Sequence, residues 1–551
     1  MTLGFADLHC HPMVHLGFGG EVRGRSFFSG RPEGDPPVAL KSCCADHLPR
    51  LELRSLVPWA TEFRACHGGF ELFPVWPDPK AKIHQQMYLE QVRRAHGAGL
   101  RLIVACAVNN ELLADAYHGC RPGNSDEAAI DRQLTAIAQW VDQNWTWMAL
   151  VRSPWEARAA VEQEKLAVVM GIEVDSIAGA TMRREGQLSP ADAQKIVDRW
   201  WARGVRLIHP VHLADNALGG AALYDARFNC LIHYLNQKHA SGLTRPWYGD
   251  AVPASANGPD RDVRFLLSSA DQLLTWAYGV VKKDPYPDYA QLCGSVGHVN
   301  RRGLSEAGEA FVRRMMRRGM LVDVEHMSAR SFRDTLSIAR AERYPVFSTH
   351  TLLRDLAVKR SPEEPFRRGC ATEAMRSRED LLLLKEVGGY LGLGAHAGLA
   401  AEGADRIEGS ANWAAAFRYA VSEIGFDTVA IGTDMNGFAE APGARFRRGL
   451  SGLEPRRRED RVRPLVYGSD PLPTGNGTLE RARLGIREYD LNVDGVCHYG
   501  MLPDLLLDVA LSIGDGAYPS FRSLDPLLHS ADGFIRVWQR CEDRAPTVRE
   551  W

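Results

Sequence analysis

An apolar run near the start of the chain, Phe5-Ala-Asp-Leu-His-Cys-His11, ends in two histidines two residues apart. Side chains at i and i+2 leave a β-strand on one face, so His9 and His11 at such a strand end would offer two imidazoles to one cation. Alone the triplet is a weak signal, because structural and surface histidines are the commoner case. It gains weight from the residues that close the later apolar runs: Asn109, Glu173, His212, His326, His350, His396 and Asp434. Imidazole and carboxylate suit zinc and similar divalent ions, and one carboxylate can bridge two of them. The chemistry such a set would support is hydrolysis. A bound divalent ion lowers the pKa of water from about 16 towards 7, and an ionised carboxylate beside it can take the proton.

These residues need a scaffold that brings strand ends together. Short apolar runs alternate with amphipathic segments along the chain, the pattern of parallel βαβ units. The runs are 4–9, 100–108, 166–172, 205–211, 320–324, 345–349, 389–394 and 428–432. Near-continuous hydrophobicity, as in Arg101-Leu-Ile-Val-Ala-Cys-Ala-Val108, predicts strands buried on both faces. Helices are expected to start at Ser189-Pro190, at Ser305-Glu306 and at Ser328, with a fourth over 372–387. The expected fold class is α/β, a (β/α)8 TIM-like barrel whose strand ends share one mouth. A barrel of this kind places His9, His11, Glu173, His326, His350 and Asp434 together. His212 competes with His209, which would lie on the other side of the same strand.

Three stretches break the alternation, at about 12–80, 215–300 and 435–490. Each follows a strand end, which in a barrel is the ligand face, so they are read as lid-like insertions in a single 1–551 hydrolase unit, with plain surface loops as the alternative. A hydrophobic fraction of 45% and a net charge of −2 give no reason to expect nucleic acid or an anionic membrane as partner. The 11 cysteines are scattered and odd in number, which suits reduced thiols better than a disulfide framework. With no signal peptide and no long apolar stretch in view, the expectation is a cytoplasmic protein acting on a small molecule, with a homo-oligomer left open.

Beyond residue chemistry, the order His-x-His, Glu, His, His, Asp resembles the amidohydrolase superfamily, and several stretches resemble its membrane (renal) dipeptidase family. These are Gly303-Leu-Ser-Glu-Ala-Gly-Glu309 with Arg318-Gly-Met-Leu-Val-Asp-Val-Glu-His-Met-Ser328, then Pro345-Val-Phe-Ser-Thr-His350 and Ile431-Gly-Thr-Asp-Met-Asn-Gly437. Val205-Arg-Leu-Ile-His-Pro-Val-His212 with Asn216, and Ser530-Ala-Asp-Gly-Phe-Ile-Arg-Val-Trp538, are similar to two further family segments. The resemblance implies that His9 and His11 hold a first metal, that Glu173 bridges two, and that His326 and His350 hold the second. It further implies that Asp434 takes the proton of the attacking water and passes it to the leaving nitrogen, while His212 polarises the scissile carbonyl.

On that basis the expected activity is metal-dependent hydrolysis of a small amide or peptide bond, such as a dipeptide, with zinc or another divalent metal, one or two ions per chain. Arg354 and Arg360 are candidates to meet a substrate carboxylate bidentately, against the plainer reading of exposed arginines. Val496-Cys-His-Tyr-Gly500 is either a late loop over the mouth or a buried turn. Dipeptidases usually carry an acid where this chain has His11, so its cluster is one charge more positive. Two alternatives therefore remain: hydrolysis of a lactone, cyclic amide or phosphoester on the same centre, or a metal-binding barrel without turnover.

Overall fold

Eight short parallel strands carry the core, and all eight correspond to the apolar runs of the sequence. In the computed structural model they are β1 (Phe5–Cys10), β2 (Leu100–Asn109), β3 (Leu166–Val174), β4 (Val205–Ile208), β5 (Leu321–Val322), β6 (Phe347–Thr351), β7 (Tyr390–Gly394) and β8 (Ala430–Gly432). The structure describes residues 4–43, 46, 68–73, 76–79, 83–119, 121–179, 187–224, 251–253, 298–300, 302–357, 371–395, 410–449, 452–456, 462–472, 477–514 and 516–549.

The strands pair in the order β5-β4-β3-β2-β1-β8-β7-β6. A parallel bridge from Asp323 to Phe347, with Val324 N–H donating to the Phe347 carbonyl at 2.8 Å, brings the two ends of the sheet together. The result is a nearly closed (β/α)8 barrel. Its longest ladder joins β2 to β3, from Leu102 opposite Ala167 to Asn109 opposite Val174. Both strands are apolar along almost their whole length because helices cover one face and the barrel interior the other.

Six of the helices between the strands share one starting device. Ser125, Ser153, Ser189, Ser305, Ser328 and Ser377 precede α2 (Asp126–Gln143), α3 (Pro154–Glu162), α4 (Pro190–Ala202), α5 (Glu306–Arg317), α6 (Ala329–Glu342) and α7 (Arg378–Glu386), and each serine hydroxyl accepts a backbone N–H of the first turn. Such a cap satisfies a donor that the helix itself cannot, a contribution of about 1 kcal/mol. α1 (Leu89–Gly97) runs before β2, and α8 (Ser410–Arg418) before β8.

Two boundaries differ from the sequence reading. β4 stops at Ile208 rather than Val211, because Pro210 has no N–H to give a ladder. α7 starts at Arg378, not near Thr372, because the preceding residues serve other partners: Arg376 bridges to Leu353, and the Glu373 carboxylate accepts from the backbone N–H groups of Leu223, Asn300 and Ala329 at 2.7 to 2.9 Å.

At the strand starts, α10 (Ser530–Arg544) closes the barrel. The Ser530 hydroxyl oxygen accepts from Ala6 N–H at 2.9 Å, and the Tyr390 hydroxyl donates to the Ser530 carbonyl at 2.6 Å. Phe534 packs on Phe347 and Tyr390, with ring centroids at 5.4 and 6.1 Å. α9 (Leu502–Ile513) packs with α8 on the outside. With one mouth stoppered, the other is left for ligands.

Candidate active site and metal centre

Glu173, at the end of β3, lies at the centre of the open mouth and is buried. Its Oε2 stands 3.1 Å from His9 Nε2 and 3.3 Å from His11 Nε2. Its Oε1 stands 2.8 Å from His326 Nε2, and 3.8 Å from the Nε2 atoms of His350 and His212. Asp434 Oδ1 approaches the same group from β8, 3.1 Å from His11 Nε2 and 3.7 Å from His9 Nε2. Every one of these residues follows or ends a strand at the same face, so the parallel topology does the gathering.

The outer nitrogens are held. His11 Nδ1 lies 3.0 Å from the Cys106 carbonyl oxygen, which can only accept, so Nδ1 carries the hydrogen. Neutral His11 therefore turns a bare Nε2 lone pair towards the oxygens of Glu173 and Asp434, a contact that is unfavourable without a cation between them. The Tyr224 hydroxyl pairs with His326 Nδ1, and the Thr349 hydroxyl lies 3.1 Å from His350 Nδ1. His326 and His350 bring their Nε2 atoms within 2.9 Å of each other. Fixing the far nitrogen of each ring in this way is what metal-ligating histidines require.

Electrostatics supports the same conclusion. Burial opposes ionisation of Glu173, but His9, His212, His11 and His326 outweigh it and hold the carboxyl well below the usual range. Burial keeps His9, His326 and His350 neutral, the last also through the neighbouring His9 and His326 rings. Against its burial, His11 is pushed up to about 10 by hydrogen bonds to Asp434 and Glu173, so that a proton occupies the place of positive charge. Three overlapping donor groups can hold a metal: His9, His11, Glu173 and Asp434; His9, Glu173, His209 and His350; and Glu173, His212 and His326. A shared carboxylate amid imidazoles is a donor set that fits one or two divalent ions.

The choice between His209 and His212 is replaced by both. β4 ends before them, so neither obeys strand alternation. His209 lies 3.9 Å from Glu173 Oε1 but 3.0 Å from Asp323 Oδ2, and its Nδ1 faces the Ile172 carbonyl at 3.1 Å. Burial opposes its charge, yet Asp323 pushes it up to about 9. His212 instead faces Glu173 on one side and Asp175 Oδ1 at 3.1 Å on the other. Of the two, His212 is the one whose second nitrogen is not committed to a strand carbonyl.

Other candidates are placed elsewhere. Arg354 is not brought to the cluster: its Nη2 donates to the Met375 carbonyl at 2.8 Å and lies 4.0 Å from Asp380, so the guanidinium braces residues 373–380. Arg360 and His396 fall outside the described residues. Asn109 braces the mouth, accepting from Phe18 N–H at 2.7 Å and donating to Asp126 at 2.7 Å. The Val496–Gly500 segment is a buried turn, not a loop over the mouth. Tyr499 is fully buried, and its hydroxyl donates to Asp7 Oδ2 at 2.8 Å.

Sequence reasoning passed over Cys106, Asp175, Tyr224 and Asp323, which face the outer nitrogens of the rings, and Asp7, which accepts from His9 N–H and the Thr433 and Tyr499 hydroxyls. Asp323 was within reach, since it stands three residues before His326 in the quoted Val-Asp-Val-Glu-His. Tyr224 carried no local signal.

Residues 275–448, which include His326, His350 and Asp434, match the family model of the membrane dipeptidases, peptidase family M19. Over that span the chain is similar to the membrane dipeptidases. That match and the donor cluster together mark a metal-dependent hydrolase. Similar solved structures include an amidohydrolase from Pseudomonas aeruginosa, 16% identical, covering 82% of this chain and 92% of that one with a TM-score of 0.44. Others are a metallo peptidase from Rhodobacter sphaeroides liganded with a phosphinate mimic of the dipeptide L-Ala-D-Ala (14%, 83% and 90%, TM-score 0.45) and the probable dipeptidase PvdM from Pseudomonas aeruginosa (15%, 83% and 89%, TM-score 0.46). A comparison with curated proteins gives no match. No helix among the described residues is long and apolar enough to cross a membrane.

Proposed function

We propose that this dipeptidase-like hydrolase cleaves the amide or peptide bond of a small substrate such as a dipeptide, with zinc or a related divalent ion. The observation that carries the reading is the convergence of four imidazoles, His9, His11, His326 and His350, and one further carboxylate, Asp434, around Glu173 at one barrel mouth. His9 and His11 would hold one ion, His326 and His350 a second, and Glu173 both. When bound, such ions supply a water acidic enough to attack at neutral pH. Asp434, partly open to the mouth, would take the proton of that water and hand it to the leaving nitrogen. His212 would donate a hydrogen bond from Nε2 to the scissile carbonyl oxygen, its ring oriented by Asp175. The described parts of 12–80 and 435–490 would line the approach to the mouth; most of 215–300 lies outside the described residues.

His11 favours keeping a second reading in the same experiment, because an imidazole in place of a carboxylate makes the centre more positive and better suited to an anionic leaving group. A panel of dipeptides, N-acyl amino acids, lactones, cyclic amides and phosphoesters assayed with metal-loaded protein separates the two. Turnover of dipeptides or N-acyl amino acids that chelation abolishes is the expected result. Activity confined to lactones or phosphoesters would replace the peptide-bond reading, and metal-free protein inert on all classes would remove both.

A further inference from the structure

We infer that the protein carries a second binding site, for an anionic group, in a groove built from the loops that follow β1 and β2. The groove has a volume of about 770 Å³ and is lined by Val22, Arg23, Arg25, Tyr117, His118 and Arg121. It shares no residue with the Glu173 cluster and does not depend on the hydrolase reading.

One wall is a hairpin in which Glu21 pairs with Ser26 and Val22 with Arg25. Its two-residue turn, Arg23-Gly24, has φ of +53° and +75°. Turns of this kind take Asn, Asp or Gly at the first position, since other side chains are strained in the left-handed region. Arginine at that tip holds a cation over the groove at a conformational cost, and strain of this sort points to a use.

The facing wall is the last turn of the helix Glu111–His118 and the residue behind it, Arg121. Its floor is rigid, because Tyr117 packs edge-on against Phe27 at 5.6 Å and its hydroxyl donates to the Asp46 carbonyl at 2.5 Å. His118 Nε2 is buried without a hydrogen-bond partner.

Three arginines thus line one cavity, and among the described residues none of them forms an ion pair. The carboxylates on the same walls are engaged elsewhere: Glu21 by Arg31 at 2.8 Å, Asp115 by the Asn124 amide at 2.7 Å. Uncompensated like charges facing one another are relieved by an anion, and the planar fork of arginine matches the paired oxygens of a carboxylate or phosphate. The ligand class is therefore a small molecule with two or more carboxylate or phosphate groups.

Titration calorimetry on the metal-loaded full chain, with pyrophosphate and with citrate as probes, tests the site. Saturable one-site binding is expected, weakened about tenfold or more in the R23Q/R25Q variant and further when R121Q is added, with unchanged melting curves showing that these exposed substitutions leave the fold intact. Tighter binding of pyrophosphate would assign a phosphate ligand, and tighter binding of citrate a polycarboxylate. Retention of full affinity in the triple variant would place the anion at the metal centre instead and overturn the proposal, as would the absence of saturable binding at millimolar probe.

Discussion

Glu173 holds the mouth together, but the backbone around its partners is where the site is most constrained. His326 and Asp434, neither of them glycine, have φ of +61° and +48°. This left-handed backbone is unfavourable by about 1 kcal/mol or more for such residues, and it turns their side chains inward where a strand would have pointed them away. Gly437 completes the arrangement, because a Cβ there would lie 2.0 Å from Asp434 Oδ1. Gly437→Ala is therefore expected to displace the Asp434 carboxylate and lower turnover at least about tenfold, with metal content, read by elemental analysis, largely kept. Asp434→Asn keeps the shape but not the base. It should retain metal and lose about 10² to 10⁴ in kcat; unchanged kcat would assign the base elsewhere. Most of this cluster was legible in the sequence, because ligand residue types at the ends of apolar runs have one common destination in a parallel barrel. The His209 and His212 pair was not, since the period-two rule that separates them fails once Pro210 ends the strand. Nor was Tyr224, whose partner His326 lies 102 residues away.

At the scale of elements, the site rests on contacts that differ in kind at the two barrel ends. Under the metal centre, β1 and β8 share a single ladder pair, Asp7 with Ile431. The Asp7 carboxylate supplements it, accepting from Thr433 N–H at 2.9 Å, the Thr433 hydroxyl at 2.7 Å and the Tyr499 hydroxyl. Tyr499→Phe leaves that buried carboxylate one donor short and is expected to cost about 1 to 3 kcal/mol in denaturant unfolding, with a fall in metal occupancy because Asp7 and His9 share a strand. At the opposite end, Trp538 of α10 is fully buried. Trp538→Ala should cost about 3 to 5 kcal/mol, yet the folded fraction should bind metal normally, since the stopper touches strand starts and not strand ends. These elements were readable from the chain to differing degrees. Serine caps and apolar runs announced α4, α5, α6 and the eight strands. The late start of α7 could not be read locally, because Glu373 and Arg376 are withdrawn from helix by partners distant in sequence.

The whole molecule balances buried charge at one place and buried neutral imidazole at another, and acid separates the two. His498 is buried against Tyr489, with ring centroids 4.7 Å apart, and neither of its ring nitrogens has a hydrogen-bond partner. Burial, helped by Arg94 and Arg487, lowers its pKa from 6.5 to about 3. The folded chain thus keeps this ring neutral where the unfolded chain protonates it. Its contribution is complete above about pH 6.5 and is lost as pH falls towards 3, on the order of a few kcal/mol. Glu373 acts in the opposite sense: burial raises its pKa to about 7, so its contribution declines as pH rises from 4.5 to that value. The two overlap, and the raw stability profile cannot assign either. A difference profile can. Denaturant unfolding of wild type and His498→Phe between pH 7.5 and 4 should show the wild type losing stability on acidification more steeply than the variant, so that the wild-type-minus-variant difference falls steadily with pH. Parallel curves would mean that His498 is protonated in the folded state or solvated in a way its buried ring does not allow.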